Sequence, residues 1–457
     1  MLKKREPGRR RHPDRARTAA WRILSDWERR KGPLEGLRDR ALSESSYSHL
    51  DRALIMELTQ GVPRHRLIID HWILNLLDRP GRDLPIPVLT ALRLGIYQLL
   101  FLHKIPAHAA VGATVNLVKR SEFEGFAPLV NAVLRRAAST SLPPVPEAGE
   151  DPLHHLEVVT SSPGWLVDRL VKFRGLAEAR LILQALNRPG PLTMRANTLR
   201  IDRESLLDKL DSLGVSARAG RLSPDAVILG SGTAPAAIPP FQNGLCTVQD
   251  EGAQLIAPLL GPEPGERLLD ACAAPGGKAG HLAQLVGDDA LILAVDHSRT
   301  RVRMMTRSLA RLRVTCVRAV VADARNLPIL STAPVNGVLV DAPCSGTGVL
   351  RRHPEGKWRK DAAGVVSLIQ IQEDLISAAS AVLPRGGRLL YTTCSILREE
   401  NEDVVDRTLA RGSHSLADLR KGTDLPDDLF TARGEMRTWP HLHDCDGFYA
   451  ALLVKET

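Results

Sequence analysis

The stretch Asp341-Ala-Pro-Cys344-Ser-Gly-Thr-Gly348 follows an apolar run at residues 335–340, and Tyr391-Thr-Thr-Cys394-Ser395 ends a second run that begins at Gly387. Short aliphatic runs bounded by Gly and Pro predict buried parallel strands. Both cysteines then lie just beyond the carboxyl end of a strand, the edge where ligands bind in open α/β sheets. An isolated cysteine is most often a small buried apolar residue. Two thiols and a carboxylate at one edge favour covalent chemistry instead.

The sequence around these stretches alternates between strand and helix patterns from residue 267 onward. Such alternation predicts a Rossmann-like, doubly wound and mostly parallel α/β sheet. Two further apolar segments, residues 435–439 and 447–454, predict an antiparallel hairpin at the edge of this sheet. The five parallel strands are predicted at residues 267–271, 291–296, 317–323, 335–341 and 388–393.

The segment Asp270-Ala-Cys-Ala-Ala-Pro-Gly-Gly-Lys278 joins the first of these strands to a helix. Its glycines allow the backbone to approach a ligand closely, and the helix N-terminus favours an anionic group. It matches neither G-x-G-x-x-G nor a P-loop. Asp296 and Asp323 end the next two strands, where a carboxylate suits ribose hydroxyls and an adenine amino group, respectively. The predicted cofactor ligands are Cys272, Ala273, Ala274, Pro275, Gly276, Gly277, Lys278, Asp296, Asp323 and Asp341.

The chain upstream divides into three predicted parts. Residues 1–17 are basic and broken by Gly and Pro, which predicts a disordered arm. Residues 18–140 carry apolar residues at helical spacing and predict an all-α domain. After a proline-rich linker, residues 151–245 predict a small α+β domain, either a basic sheet that recognises RNA or a structural connector. A helix at residues 248–257 leads into the α/β domain, residues 246–457.

The composition limits the class of protein. The chain has 457 residues, a formal net charge of +9 and 44% hydrophobic residues. A basic balance favours a polyanionic partner, with nucleic acid first. Six scattered cysteines without a C-x-x-C pair argue against a disulfide framework or a zinc site. Because no apolar run approaches about 20 residues and the N-terminus lacks a secretory signal, we expect a cytoplasmic protein that is not in a membrane.

Both cysteine motifs and the loop at residues 270–278 resemble those of the S-adenosylmethionine-dependent RNA 5-methylcytosine methyltransferases. Residues 351–358 are also similar to the segment that follows the Pro-Cys motif in that family. The helical domain, residues 18–140, resembles the NusB antitermination fold, which implies that this domain binds RNA. The resemblance implies S-adenosylmethionine as cofactor and a cytosine of small-subunit (16S) ribosomal RNA as substrate, before the subunit is assembled. It also implies a monomer without a metal.

The resemblance leaves two assignments for the nucleophile. By analogy with DNA cytosine methyltransferases, Cys344 attacks carbon 6; by resemblance to the RNA family, Cys394 attacks and Cys344 assists release. We favour Cys394, with Asp341 hydrogen-bonded to the cytosine and Lys278 positioning the cofactor or Asp341. Two other functions stay open. One is a nucleotide-linked dehydrogenase, which the missing G-x-G-x-x-G disfavours. The other is a non-catalytic RNA-binding or antitermination factor, which the intact motifs disfavour.

Overall fold

The computed structural model describes residues 14–30, 32–43, 47–79, 83–141, 143–230, 232–327 and 335–456. These residues form two compact units. The first unit contains the described residues up to Asp168 together with His353–Arg359, and the second contains Arg169–Arg352 with the described residues from Lys360 onward. The small α+β part and the α/β part therefore pack in one unit.

The first unit is helical because apolar residues recur every three or four positions and pack into one core. In the first helix, Ala20, Ile23 and Trp27 are buried on one face. A capping box in which Ser48 and Asp51 bond reciprocally begins the third helix. The helices are α1 (Arg15–Arg30), α2 (Leu34–Ser43), α3 (His49–Arg64), α4 (Arg66–Leu76), α5 (Ile86–Phe101), α6 (Ala107–Lys119), α7 (Ala127–Ser139) and α8 (Pro152–Thr160).

The boundary of the predicted basic arm is wrong by three residues. Helix α1 begins at Arg15, and Ala16 is already buried in the core. Arg17 is compatible with a packed helix because its Nε donates to Gln98 Oε1 of α5, 2.6 Å away. The rest of the predicted arm, residues 1–13, lies outside the described residues.

A seven-residue segment, His353–Arg359, packs within the helical unit. Lys357 is buried, and its Nζ donates to the carbonyl oxygens of Thr160 and Ser161 at 3.4 and 3.0 Å. The Trp358 indole donates to the carbonyl oxygen of Pro63 at 2.7 Å. Burial lowers the pKa of Lys357 to about 7, since desolvation penalises the charged amine.

The chain continues into a small antiparallel sheet with strand order β2-β3-β1-β4. Strands β1 and β3 are buried along their whole length, and the one basic residue in them, Arg195, is also buried. These two strands therefore expose no basic side chain. The elements are α9 (Gly164–Leu186, broken at Gly175), β1 (Thr193–Ala196), α10 (Arg203–Ser212), β2 (Ala217–Ala219), β3 (Ala226–Leu229), α11 (Pro239–Gln242) and β4 (Cys246–Val248).

The main sheet has the order β10-β12-β9-β8-β5-β6-β7, with β11 paired to β12. Strands β5 to β9 are mutually parallel and have apolar cores on both faces, as in a Rossmann-like sheet. The predicted fold class is confirmed. The elements are α12 (Glu251–Gln254), β5 (Arg267–Asp270), α13 (Gly277–Leu285), β6 (Leu291–Asp296), α14 (Arg299–Leu312), β7 (Val317–Val321), β8 (Gly337–Asp341), α15 (Ala362–Val382), β9 (Arg388–Thr393), α16 (Glu402–Leu409), β10 (His414–Ala417), β11 (Met436–Arg437), α17 (Pro440–His443) and β12 (Tyr449–Lys455).

Three local predictions need correction in this unit. The antiparallel hairpin lies at the predicted end of the sheet, but β10, which was not predicted, is the outermost strand. The helix expected at residues 248–257 is a strand end, the four-residue α12 and the start of a 3₁₀ turn. The third concerns the expectation that no apolar run is long enough for a membrane span. Helix α15 is the one helix among the described residues with the length and composition to cross a bilayer. Its Leu375, Ile376 and Ala379 pack in the core beside the sheet.

Candidate active site

The carboxyl ends of the central parallel strands bring the predicted site residues to one edge of the main sheet. Asp270, Asp296 and Asp341 are the last residues of β5, β6 and β8. Cys394 directly follows β9, whose Thr392 pairs with Asp341. Because parallel strands end at the same edge, residues far apart in sequence become neighbours there.

The two cysteines of the motifs lie in contact. Their Sγ atoms are 3.3 Å apart, and both residues are free thiols. The loops approach closely at Gly348, whose backbone N–H donates to the carbonyl oxygen of Cys394 at 2.9 Å. A Cβ at Gly348 would collide with the carbonyl oxygens of Gly447 and Cys394. Glycine is therefore required for the two loops to pack at this distance.

The contact between the two thiols affects the pKa of Cys344. The hydrogen bond with Cys394 and then burial raise the pKa of Cys344 well above its ordinary value. Either sulfur of the pair could be the hydrogen-bond donor. The arrangement in which Cys344 donates leaves Cys394 as the acceptor, and a thiolate is the form of cysteine that attacks carbon.

A buried carboxylate, which the sequence analysis did not single out, holds both cysteine loops. Glu400 is fully buried and accepts hydrogen bonds from the Ser345 backbone N–H at 2.8 Å, and from the hydroxyls of Ser345 and Ser395 at 2.5 Å each. Gln372 of α15 donates to the same carboxylate at 3.1 Å. Since Ser345 and Ser395 directly follow the two cysteines, one side chain fixes the position of both thiols.

Lys278 and Asp341 form an ion pair beside the thiols. Lys278 Nζ lies 2.7 Å from Asp341 Oδ2 and 5.3 Å from the centre of the Phe448 ring. Burial alone would lower the pKa of Lys278, but the charge and hydrogen bond of Asp341, with a smaller contribution from Cys394, raise it. Lys278 therefore remains a cation. Of the two partners predicted for it, the cofactor and Asp341, the structure shows the contact with Asp341.

The predicted cofactor loop runs from Cys272 to Lys278, between β5 and α13. Gly276 adopts a φ of +97°, which favours glycine, and caps α13. Ala273 and Ala274 are buried, whereas Pro275 is exposed and Gly277 begins the helix. Burial, then the charge of Asp341, raises the pKa of Cys272, so this third cysteine is not a thiolate.

The two acids assigned to the nucleoside part of a cofactor differ in their surroundings. Asp296 is buried; its Oδ1 accepts from the Ser298 backbone N–H at 2.9 Å and its Oδ2 lies 3.2 Å from Arg301. Asp323 is more exposed and lies two residues beyond the end of β7, not within the strand as predicted. Hydrogen bonds from Arg325 lower the pKa of Asp323 to about 2.

Two more buried groups at this edge were not among the predicted site residues. Asp270 is completely buried, and burial followed by the charge of Asp341 raises its pKa to about 8, so it can be a hydrogen-bond donor at neutral pH. Arg195 of β1 donates to the carbonyl oxygen of Gly277 at 3.1 Å and to Gln284 at 3.0 Å. The Asp270 position was visible in the loop motif; nothing local in the sequence pointed to Arg195.

Three segments of the chain match described protein families. Residues 14–139 match the NusB family, residues 162–234 the ferredoxin-like domain of RsmF/B-like methyltransferases, and residues 257–454 the 16S rRNA methyltransferase RsmB/F family.

Individual relatives match over most of the chain. The probable ribosomal RNA small subunit methyltransferase B of Bacillus subtilis is 33% identical over 91% of this chain and 93% of its own. Ribosomal RNA small subunit methyltransferase B of Shewanella oneidensis is 36% identical over 89% of this chain and 91% of its own. The crystal structure of PH0851 superposes with a TM-score of 0.82 at 26% identity, covering 97% of this chain and 99% of that one.

Proposed function

Since this chain belongs to the 16S rRNA methyltransferase RsmB/F family, we propose that it methylates carbon 5 of a cytosine in 16S ribosomal RNA with S-adenosylmethionine. Membership of this family confirms the resemblance drawn from the motifs. The observation that carries the proposed chemistry is the contact between Cys344 and Cys394 beside the Lys278–Asp341 ion pair. The RNA would be methylated before subunit assembly, in the cytoplasm, by a monomer.

The residues at the sheet edge fit S-adenosylmethionine. Asp296 offers a buried carboxylate for the ribose hydroxyls, and the loop from Cys272 to Lys278 leads into the N-terminus of α13, a favourable place for the carboxylate of an amino acid. Asp323 is assigned to the adenine amino group. When bound, S-adenosylmethionine supplies an electrophilic methyl group.

The protein's own groups divide the reaction into attack and release. The target base must leave its stack to reach the thiols. Cys394, as a thiolate that accepts a hydrogen bond from Cys344, forms a bond to carbon 6, and the electrons of the opened C5–C6 double bond make carbon 5 nucleophilic. Asp341, held by Lys278, hydrogen-bonds the cytosine. After methylation the carbon 5 proton passes to a base, the Sγ–C6 bond breaks and the double bond re-forms; Cys344 assists this step.

This division predicts that the two cysteine variants fail differently. Cys394→Ala cannot form the bond to carbon 6, so it neither methylates nor cross-links. Cys344→Ala still attacks but releases slowly, so a covalent protein–RNA adduct accumulates. Both are measured with tritiated S-adenosylmethionine, 16S rRNA transcript and denaturing electrophoresis. Cys316→Ala is the matched control, because Cys316 is buried at the amino end of β7, away from this edge.

Three results would contradict parts of the proposal. An adduct in Cys394→Ala and none in Cys344→Ala reverses the roles of the thiols. Bisulfite sequencing that finds the same 16S rRNA cytosines methylated with and without the wild-type protein removes the proposed substrate. Full cellular function of Cys394→Ala would favour the non-catalytic RNA-binding alternative.

A further inference from the structure

The outer face of α14 carries a ridge of arginines. Arg299, Arg303, Arg307 and Arg311 occur at every fourth position, while Val302, Met305, Leu309 and Leu312 face the core. At 1.5 Å per residue, the ridge spans about 18 Å. The helix has five arginines and no acidic residue. Like charges four residues apart repel and destabilise a helix, so this arrangement favours a bound polyanion that neutralises them.

The outer arginines of the ridge are available to a ligand. Arg299, Arg303 and Arg307 are exposed, and none of them forms an ion pair with a carboxylate among the described residues. Other exposed arginines of this unit do form such pairs: Arg420 pairs with Asp418 and Arg433 with Asp406. The three side chains therefore keep their full charge at the surface.

The ridge ends in a basic cavity of about 550 Å³. Its lining contains no carboxylate: besides two apolar residues it consists of Arg200, Lys209, Arg311, Arg313, Gln242 and Asn243. Arg311 is held in place by a hydrogen bond to the carbonyl oxygen of Cys246 at 2.9 Å and by the Phe241 ring beneath it. The small sheet domain and α14 thus build one concave cationic site together.

The other end of the ridge is at the candidate active site. Arg301, in the first turn of α14, pairs with Asp296 and donates to the carbonyl oxygen of Ala274 in the cofactor loop. The α14 track, defined as Arg299, Arg303 and Arg307 with the cavity residues Arg200, Lys209 and Arg313, therefore leads away from the reacting thiols.

We propose that the α14 track binds the phosphate backbone of the RNA segment that flanks the target cytosine. This inference rests on the proposed function and extends it by locating a substrate-binding surface within the second unit. Evenly spaced guanidinium groups match a ligand with regularly spaced anions, and arginine forms bidentate bonds to phosphate. The track positions RNA and takes no part in the bond changes.

The test compares two double variants with the same loss of charge. Arg303→Gln/Arg307→Gln alters the track; Arg385→Gln/Arg420→Gln alters arginines at the β9 and β10 side of the sheet. Binding of full-length protein to 16S rRNA transcript is measured from low to moderate salt. Each lost phosphate contact reduces the magnitude of the slope of log K against log salt by about 0.7–0.9. The track variant loses two contacts, so the magnitude of its slope should fall by about 1.4–1.8, and that of the control variant by much less.

Methylation kinetics give an independent readout. Because the track contributes uniform binding, the KM for RNA should rise about tenfold or more while kcat and S-adenosylmethionine affinity stay near wild type. Arg303→Lys/Arg307→Lys should recover most of the salt dependence. Equal slopes and KM values for the two Gln variants would overturn the proposal. If the slopes differ as expected but wild type methylates no rRNA cytosine, the track stands and the proposed function falls.

Discussion

Replacing Glu400 tests whether one buried carboxylate positions both thiols. In Glu400→Ala the hydroxyls of Ser345 and Ser395 keep each other and Thr347 as partners, at 3.1–3.2 Å. Gln372 keeps the carbonyl oxygen of Pro343. The backbone N–H of Ser345 is the donor left without a partner. A buried donor without a hydrogen-bond partner costs about 1–3 kcal/mol, so the free energy of unfolding should fall by about 1–3 kcal/mol or more.

The effect on turnover should exceed the effect on stability. The cysteine loops lose the group that joins them, and a displacement of about 1 Å in a reacting group can cost about 100-fold in rate. We therefore expect kcat to fall about 100-fold in Glu400→Ala. Affinity for S-adenosylmethionine should be unchanged, since the hydrogen bonds that the Glu400 carboxylate accepts come from Ser345, Ser395 and Gln372 and not from the loop at residues 272–278.

The isosteric variant separates position from charge. In Glu400→Gln one oxygen can still accept from Ser345 N–H, and the amide NH₂ can donate to the serine hydroxyls, which rotate. Glu400→Gln should therefore keep most of the stability and more activity than Glu400→Ala. Glu399→Ala, whose side chain pairs with Arg169, is the neighbouring acidic control. Calorimetry measures the affinity for S-adenosylmethionine, denaturant unfolding measures the stability, and single-turnover methylation measures the rate of the reaction. Wild-type kcat in a destabilised Glu400→Ala would refute the positioning role.

Two further predictions concern the cofactor and the helical unit. Asp296→Ala should weaken S-adenosylmethionine binding at least tenfold in calorimetry, because hydrogen bonds to a charged acceptor contribute about 1.5–3 kcal/mol each; unchanged affinity in a folded variant would contradict the assignment. Lys357, whose pKa falls to about 7 on folding, binds fewer protons in the folded than in the unfolded chain above pH 7. Its contribution to stability should therefore increase from about pH 7 to about pH 10, by up to about 1.4 kcal/mol per pH unit, and Lys357→Met should abolish that increase in urea titrations.

Local patterns in the sequence were enough to predict the parts of the catalytic sheet. Strands β6 and β9 have the predicted bounds, because each is a continuous, mostly apolar run that can be recognised without knowing its neighbours. The placement of Cys344 and Cys394 at one edge also followed from sequence, since strands in a doubly wound sheet end on the same side. The family followed from the same motifs.

The order of the antiparallel strands was decided by pairing over long distances. Strand β12 lies between β9 and β10, where its Tyr449 pairs with Thr393 and its Lys455 with His414. Strand β10 has only four residues and no strong alternation of polar and apolar side chains. Such a strand gains its stability from an adjacent edge and not from its own propensity.

The buried polar groups of the site show most clearly what the tertiary structure decided. Glu400 reads in the sequence as one acid in a Glu-Glu-Asn run, and Arg195 as one cation in a short strand. Burial is costly for either group unless hydrogen-bond partners replace water. Partners such as Ser345, 55 residues from Glu400, and Gln284 of α13, 89 residues from Arg195, come into reach only when the chain has folded. The sequence alone pointed to the residues proposed to carry the chemistry, and folding decided which residues hold them in place.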